Sequence, residues 1–201
     1  HKILAAIRAL EGGISFSGIV EADELLMKYS EKGRKFKSKE EYQRAKRKKH
    51  PKVAVLVVTD REGNLLFKQV GEKKVKNEQL RDELKSRLSE NNLICVKPKK
   101  EFRKGVKGLQ SKKVIVNKRQ IKRGIYSVKI VENKISDFKT WLSRFHGVAT
   151  KYLQSYLMWF VIMNKYLKEL IDPDIGRLLN LSSHDRWAWD KYREIVSQRY
   201  E

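Results

Sequence analysis

The hydrophobic pattern in the first half of the chain predicts short β-strands. Residues 15–20 alternate imperfectly but contain enough apolar and β-branched side chains to favour a buried central strand. Residues 53–59 form an apolar run rich in β-branched residues, which is typical of a strand buried on both faces. A turn at residues 60–64 followed by a second apolar run at residues 65–70 predicts that this strand continues into a hairpin.

A helix and two further strands are predicted next. Asn77 is expected to cap the helix, whose leucines recur at helical spacing: Leu80, Leu84 and Leu88. Residues 93–96 predict a short buried strand parallel to the first, in which Cys95 is a small core residue. Residues 114–116 predict an edge strand. Strands and helices in this order indicate an α/β fold.

From residue 138 the apolar spacing is helical to the end of the chain. A helix that carries Phe138 is expected to end at Gly147, and Thr150 is expected to cap a long helix that ends at residues 172–173. We expect the aromatic residues of these helices in the core rather than on a base-stacking platform. A last helix after residue 182 has enough aromatic surface to pack on the domain or to bind a protein partner through these residues: Trp187, Trp189 and Tyr192.

Length and charge limit the classes of function. The 201 residues suffice for one sizeable domain with an appendage. Because 46 Lys and Arg residues face only 24 Asp and Glu residues, the formal net charge is +22, which favours nucleic acid as the partner. An anionic membrane surface is the second candidate, but no apolar run could span a bilayer, and no membrane partner is predicted. The single cysteine excludes an intrachain disulfide or cysteine-based zinc site and favours a reducing, cytoplasmic setting.

Basic residues concentrate in two stretches. The first, residues 31–52, is either a solvated loop with a short charged helix or an arm that contacts phosphates, and the sequence does not favour one over the other. The second, residues 97–123, favours a surface that faces nucleic acid. With two basic residues of the C-terminal helices, the predicted nucleic-acid-binding residues are Arg34, Lys35, Lys46, Arg47, Lys48, Lys49, Lys99, Lys100, Arg103, Lys104, Lys112, Lys113, Arg119, Lys122, Arg123, Lys139 and Arg144.

The candidate chemistry lies in residues 18–24, where an apolar strand runs into carboxylates that include Asp23. A carboxylate at the mouth of a buried strand must find a metal ion, a cation or water, because an unpaired buried charge is costly. An ordinary acidic turn is the alternative for these residues. The sequence has no Walker loop, dinucleotide-binding glycine fingerprint, nucleophile elbow or histidine cluster.

Three segments together resemble a known family. They are Glu21–Glu24, Gly124–Tyr126 and the long run Phe138–Phe160, which reads Phe-Lys-x-Trp-x-x-Arg-Phe-His-Gly-Val-Ala-Thr-Lys-Tyr-Leu in its first part. They are similar to the catalytic domain of bacterial insertion-sequence transposases of the DDE type, which have an N-terminal zinc ribbon and helix-turn-helix. The similarity covers roughly residues 10–167.

The resemblance implies the fold class and domain organisation. We expect a ribonuclease-H-like mixed sheet flanked by helices over residues 14–171, with a helical C-terminal extension over residues 172–201. Residues 1–13 are expected to be the end of a truncated N-terminal helical module, so the zinc ribbon is absent from this sequence. A domain of this family is expected in the cytoplasm, at the bacterial nucleoid.

Family members use carboxylates from two strands and one helix to hold two divalent metal ions, which drive in-line phosphoryl transfer. Asp23 matches the first catalytic aspartate. The second should follow the strand at residues 93–96, where this chain has Lys97. The third segment has Glu132 and Ile135 in place of the family's asparagine and histidine, while the basic residue after it is retained as Lys139. Two of the three catalytic positions are therefore degenerate, and Glu132 is the remaining candidate acid.

We therefore expect a transposase-derived, catalytically inactive domain that binds nucleic acid or acts as a scaffold in a larger assembly. An ammonium in the place of a carboxylate repels a divalent ion by about 8 kcal/mol at 4 Å and an effective dielectric constant of 20. Our hypothesis is that Lys97 takes the vacated metal position and pairs with Asp23 and Glu132, and no metal cofactor is expected.

Two alternatives remain open. One is an active DNA recombinase or nuclease that uses Mg²⁺ or Mn²⁺ on relocated acids, namely Asp23, Glu24 and either Glu132 or Asp60. Asp60 is disfavoured because it falls in a turn that points away from the strand mouth. The other is an interaction module whose basic surface meets an acidic protein or RNA. DNA is the expected partner, with RNA, a protein partner and a homo-oligomer as further alternatives.

Overall fold

The computed structural model describes residues 13–117, 122–123 and 125–166, which form a sheet with helices on both faces. In chain order the elements are β1 (Ile19–Met27), α1 (Lys39–Arg47), β2 (Val53–Asp60), β3 (Leu65–Glu72), α2 (Asn77–Lys85), β4 (Leu93–Val96), α3 (Lys100–Lys107), β5 (Lys112–Ile115), β6 (Lys122–Arg123), β7 (Tyr126–Ser127), α4 (Lys129–Ser143), a 3-10 helix (Thr150–Tyr152) and α5 (Leu153–Tyr166).

The sheet has the strand order β3-β2-β1-β4-β5, with β1 at its centre. β1 pairs antiparallel with β2 and parallel with β4, as the sequence predicted for the strand at residues 93–96. Asp23 lies opposite Val57, and Ala22 lies beside Val96, the last residue of β4. The residue that follows β4 therefore arrives next to Asp23. The predicted ribonuclease-H-like mixed sheet flanked by helices is confirmed.

Alternate side chains of β2 supply the two hydrophobic cores, which explains why the whole strand is buried. Val53, Val55 and Val57 face α4 and α5, while the residues between them face α2 and α3. On the first face the rings of Phe67 and Phe138 lie 5.1 Å apart, centroid to centroid. The α4 side of the sheet is thus closely packed, and α4 is held in a fixed position against β1.

The side chain of Gln154 covers part of the open edge of β3. Its Oε1 accepts a hydrogen bond from the backbone N–H of Gln69 at 2.7 Å, and its Nε2 donates to the carbonyl of Phe67 at 3.2 Å. Gln154 is buried, so neither group of its amide can rely on water. The amide thereby satisfies one backbone N–H group and one carbonyl group at the edge of β3, as a neighbouring strand would.

The first strand differs from its predicted bounds. It was expected over residues 15–20 with the acids at its mouth, but β1 runs from Ile19 to Met27 and contains Glu21, Asp23 and Glu24. The backbone of these acids is paired with β2 throughout, and cations and N–H donors supplied by distant residues neutralise their side chains. Apolar periodicity could not reveal this, because the partners are far away in sequence.

Two predicted helix caps are wrong. The cap position of α2 is Lys76, and the side chain of Asn77 donates instead to Glu78. Thr150 does not cap the long helix but begins the 3-10 helix that precedes α5, and its Oγ1 accepts a hydrogen bond from the backbone N–H of Ser30 at 2.9 Å. Its hydroxyl is therefore used to fix the loop after β1. Cys95 is buried in the core, as predicted.

Several predictions fall outside the described residues: the N-terminal helical module, Arg119, the helix end at residues 172–173, and the extension with Trp187, Trp189 and Tyr192. For Lys122 and Arg123 only the backbone is described, as strand β6. None of the helices in the described ranges has both the length and the apolar character that crossing a membrane requires.

Candidate functional site

The candidate site forms where β4 ends beside the middle of β1. The parallel pairing of Ala22 with Val96 brings Lys97 alongside Asp23, although 74 residues separate them in sequence. Asp23 is almost completely buried, with 4% of its surface exposed. Burial at the centre of the sheet obliges this carboxylate to find a positively charged partner.

Lys97 supplies that charge and bridges two acids. Its Nζ lies 2.6 Å from Oδ2 of Asp23 and 2.5 Å from Oε1 of Glu132, which is in the first turns of α4. The predicted pairing of Lys97 with Asp23 and Glu132 is thus present, and the ammonium lies between one acid from a strand and one from a helix.

A second lysine joins the site from the start of α3. Nζ of Lys99 lies 2.9 Å from Oδ1 of Asp23 and 2.9 Å from Oε1 of Glu24. Charges of alternating sign therefore form one ion-pair chain, which consists of Glu132, Lys97, Asp23, Lys99 and Glu24. Lys99 was predicted as a nucleic-acid contact, and the structure instead gives it two carboxylate partners. A sequence signal for this arrangement exists. Lys97 and Lys99, two residues apart, follow the strand that pairs with β1, and β1 carries the adjacent acids Asp23 and Glu24.

The ion pairs shift the pKa values of the central groups. Burial alone raises the pKa of Asp23, but hydrogen bonds from Lys97 and Lys99 lower it more, so this pKa lies below its ordinary value of 3.8. Partial burial acts to lower the pKa of Lys97, but its bonds to Asp23 and Glu132 raise it above its ordinary value of 10.5. Both groups are therefore charged across the neutral range.

Glu21 is a site residue that sequence reasoning did not assign. Its fully buried carboxylate accepts hydrogen bonds from Oγ of Ser127 at 2.7 Å and from the backbone N–H groups of Ile130 at 2.8 Å and Val131 at 3.1 Å. The cap residue of α4 makes no side-chain hydrogen bond. Glu21, which lies in β1, therefore serves as the acceptor for the N-terminal N–H groups of the helix. This contact fixes the helix turn that carries Glu132. Period-2 alternation, which puts Glu21 and Asp23 on one face of β1, is the signal that could have found it.

Asp60, the relocated acid of the alternative hypothesis, has a structural role. Its Oδ1 accepts hydrogen bonds from three successive backbone N–H groups, those of Glu62, Gly63 and Asn64, at 2.9 to 3.0 Å. Its Oδ2 accepts from the side chain of Asn64 at 2.7 Å and from the backbone of Ser17 at 3.1 Å. The register opposes Asp60 to Val20, so it lies three residues along β1 from Asp23. Both oxygens are therefore occupied, in closing the hairpin turn and in holding the segment that precedes β1.

The residues present do not fit a divalent metal ion. The carboxylates of Asp23 and Glu132 converge on an ammonium instead of on a space between them. Ile135, the other residue predicted to stand at a degenerate catalytic position, is buried in the hydrophobic core between the sheet and α4. Its side chain offers no ligand atom. Within the described ranges, no cluster of three or more His, Cys, Asp or Glu residues is arranged to hold a metal ion.

Most of the predicted nucleic-acid-binding residues are exposed. α1 has no buried residue and carries basic side chains in its last turn, and a second group lies on α3 and β5. The exposed members are Lys35, Lys46, Arg47, Lys48, Lys49, Lys100, Arg103, Lys104, Lys112, Lys113, Lys139 and Arg144. Arg34 is partly buried instead and pairs with Glu31 at 2.9 Å and Glu41 at 3.1 Å, which attaches α1 to the loop before it.

Comparison with known proteins gives a family for most of the chain. Residues 15–162 match the sequence pattern of the ISXO2-like transposase domain. Among solved structures, the chain is similar to one in the cryo-electron microscopy structure of a simian T-cell lymphotropic virus intasome in complex with the PP2A regulatory subunit B56 gamma, with 11% sequence identity and a TM-score of 0.38. That match covers 74% of this chain, which spans about half (50%) of the length of the matched one. No curated protein matches the sequence.

Proposed function

Because the chain belongs to the ISXO2-like transposase domain family, we propose that it is a transposase-derived domain that binds nucleic acid and has lost metal-dependent strand transfer. The observation that carries this proposal is the ammonium of Lys97 between Asp23 and Glu132. Such a domain would act as a binding or scaffolding subunit rather than as an enzyme.

The charge at the centre of the site supports the proposed loss of catalysis. DDE-type transposases normally depend on divalent metal ions held by carboxylates. A divalent ion at the position of the Lys97 ammonium would first have to displace it from two carboxylates at 2.5 to 2.6 Å. An ion that bound about 4 Å from the ammonium would be repelled by about 8 kcal/mol. Within the described part of the chain, Glu24 does not compensate, because it is paired with Lys99 and its Oε2 accepts from the backbone of Val75 at 3.2 Å.

Nucleic-acid binding is supported by the exposed basic surface and by the net charge of +22. α1 lies in the connection between β1 and β2 and contributes no residue to the core, so its cations cost the fold little and are available to phosphates. Neutralising a few phosphates at once releases their counterions and gives an affinity that falls steeply with salt.

The loss of catalysis is tested by incubating the purified protein with duplex DNA and either Mg²⁺ or Mn²⁺. We expect no nicking and no joining of strands, and the Asp23→Ala variant should behave identically. Metal-dependent cleavage that Asp23→Ala abolishes would overturn the inactive assignment and favour the recombinase with relocated acids.

The choice of partner is tested by titrating labelled duplex DNA, and RNA of matched length, over a range of salt concentrations. We expect the logarithm of duplex affinity to fall linearly with the logarithm of salt concentration. The slope should correspond to several neutralised phosphates, at about −0.9 for each. A partner of a different class, such as an acidic protein, is indicated if neither nucleic acid binds with a salt-dependent affinity.

A further inference from the structure

The connection between β1 and β2 is far longer than the pairing of these strands requires. Met27 at the end of β1 lies directly opposite Val53 at the start of β2, so a turn of about two to five residues would suffice. The chain instead has 25 residues there, 28–52, with 12 Lys and Arg residues against three Asp and Glu residues. This one connection therefore carries a net charge of +9, out of +22 for the whole chain.

The two ends of this connection are fixed to the domain. The ring of Tyr29 stacks on the ring of His50, with 4.2 Å between their centroids, which brings the two ends together. Nζ of Lys32 donates hydrogen bonds to the carbonyls of residues 145–147 at 2.9 to 3.2 Å. These carbonyls follow the end of α4, where helical partners are missing. The direction in which the connection leaves the domain is therefore set in the free protein.

The middle of the connection is α1, which is an ordered helix although the core does not support it. None of its nine residues is buried, and it has no extensive contact with any other described helix or strand. Polar contacts at its start hold it instead, because Oγ of Ser38 accepts a hydrogen bond from the backbone N–H of Glu41 at 3.1 Å. The Glu41 carboxylate in turn accepts from the backbone N–H of Lys37 at 2.8 Å and pairs with Arg34. α1 is thus a preformed helix that stands away from the core.

The outer face of α1 carries a row of three long polar side chains, those of Lys39, Gln43 and Lys46. Their spacing of four and three residues puts them on one face of the helix, opposite Glu41 and Ala45. The three are exposed, whereas Glu41 and Ala45 are partly buried. Both acids of α1 lie in its first turn, so no acid lies in the later part of the helix. The row therefore presents two ammonium groups and, between them, an amide that can both donate and accept hydrogen bonds.

We propose that α1 enters the major groove of double-stranded DNA, with Lys39, Gln43 and Lys46 toward the base edges and Lys48 and Lys49 beside the flanking phosphates. The proposal rests on the proposed nucleic-acid binding and adds the element, the groove and the kind of duplex. A helix with its side chains is about 10–12 Å across, and the major groove of B-form DNA is about 12 Å wide. Glutamine pairs with adenine, and lysine with guanine, through the edges that this groove exposes. The major groove of double-stranded RNA is too deep and narrow for side chains to read, so the ligand is DNA.

The test begins with a DNA duplex that the unsubstituted protein selects from a randomised pool. Gln43→Ala changes no charge and keeps a good helix former, and it should weaken binding to the selected duplex by about 5- to 100-fold. Binding to a scrambled duplex should change less than about twofold, because only the contact with the base edges is lost. The matched control is Lys49→Ala, which should weaken binding to both duplexes by the same factor. A selected duplex with bulky groups at C5 of its pyrimidines, which fill the major groove, should bind no better than the scrambled one.

Circular dichroism and the urea midpoint establish that each variant is folded before binding is compared. The inference is overturned if the pool yields no preferred sequence, or if folded Gln43→Ala distinguishes the two duplexes as well as the unsubstituted protein does. It is also overturned if the duplex with the filled groove binds as tightly as the unmodified one. The proposed nucleic-acid binding would survive each of these results, since contacts with phosphates alone would explain them. It fails separately if the unsubstituted protein binds neither DNA nor RNA with a salt-dependent affinity.

Discussion

Lys97 binds two carboxylates that differ in their exposure. The side chain of Asp23 is 5% exposed, whereas that of Glu132 is 35% exposed. The contact with Glu132 is screened by solvent and contributes little by itself, but the contact with Asp23 compensates a charge that water cannot reach. Lys97 is therefore needed mainly because it neutralises the buried carboxylate of Asp23.

Replacing Lys97 by Ala should destabilise the fold by about 1–2 kcal/mol, because Asp23 then keeps only Lys99 as a cationic partner. The double variant Asp23→Ala/Lys97→Ala should lose less than the sum of the two single losses, since the buried charge is gone. Urea unfolding of the four proteins measures this coupling. Lys104→Ala, an exposed lysine on α3, is the control, and strictly additive losses would contradict the pairing.

The lowered pKa of Asp23 sets the sign of a pH effect. A carboxyl whose pKa is depressed in the folded state stabilises the fold above its ordinary pKa of 3.8 and loses that contribution as the pH falls below it. The raised pKa of Lys97 acts in the opposite direction, and its contribution is lost only as the pH rises above 10.5.

The difference in unfolding free energy between the unsubstituted protein and Asp23→Asn should thus be constant between about pH 5 and about pH 9 and shrink below about pH 4. Urea denaturation at a series of pH values measures it. Asp137→Asn, which removes an exposed acid of α4, should show no such dependence. A difference that stays constant to the lowest pH would mean that Asp23 carries no depressed pKa.

At the scale of the elements, α4 depends on β1 for its beginning. Its first N–H groups are bound by the buried carboxylate of Glu21, and its inward face contacts β1 and β2. The same helix presents Glu132 to Lys97. The order of the site therefore follows from a contact at the N-terminus of one helix.

Glu21→Ala should destabilise the protein by about 1–3 kcal/mol, because buried N–H groups lose a charged acceptor. Glu21→Gln, which keeps an acceptor oxygen, should lose less. Cys95 provides a second readout, since burial raises the pKa of its thiol to about 11 and suppresses its reactivity in the folded state. Glu21 adds to the raised pKa of Cys95, and both variants remove that contribution, so the capping role is read from the two variants alone. Labelling of Cys95 by a disulfide reagent should be faster in Glu21→Ala than in Glu21→Gln, and equal rates in these two variants would contradict the capping role.

The sequence predicts these elements unevenly, for physical reasons. β2 and the hairpin that follows it are found because apolar runs and a turn are local signals. The bounds of β1 are not found, because its acids are bound by residues distant in sequence, as Glu21 is by α4. Thr150 was wrongly predicted as a helix cap, because its hydroxyl instead binds Ser30, which is also distant in sequence. Lys97 was found because the family resemblance implies a catalytic aspartate after the strand at residues 93–96. Lys99 was assigned to the surface because its carboxylate partners are visible only in three dimensions.

Across the whole molecule, positive charge lies in separate clusters around a neutralised centre. The ion-pair chain has three acids and two lysines, so it adds little to the basic surface. Within the described residues, exposed side chains of α1, α3 and β5 carry much of the positive charge, and these side chains do not lie in the core. Binding and stability can therefore be altered separately.

Replacing Arg47, Lys48 and Lys49 together by Ala should leave the urea midpoint almost unchanged and reduce the salt slope of duplex binding by up to about 3, since each phosphate contact contributes about 0.9. Titrations at several salt concentrations measure the slope. Lys85→Ala, on the exposed side of α2, is the control and should have no effect on the slope. An unchanged slope in the triple variant would exclude the end of α1 and the residues just after it from the interface.

The amide of Gln154 has a further consequence for how copies of the chain meet at high concentration. An uncovered strand at the margin of a sheet is a template on which other molecules add strands and grow into fibres. At one margin Gln154 occupies the groups that would start such growth, and at the other β5 is only four residues long and exposes Lys112 and Lys113. Gln154→Leu would leave the first margin open, and the folded protein would then become prone to aggregation without losing any part of its ion-pair chain.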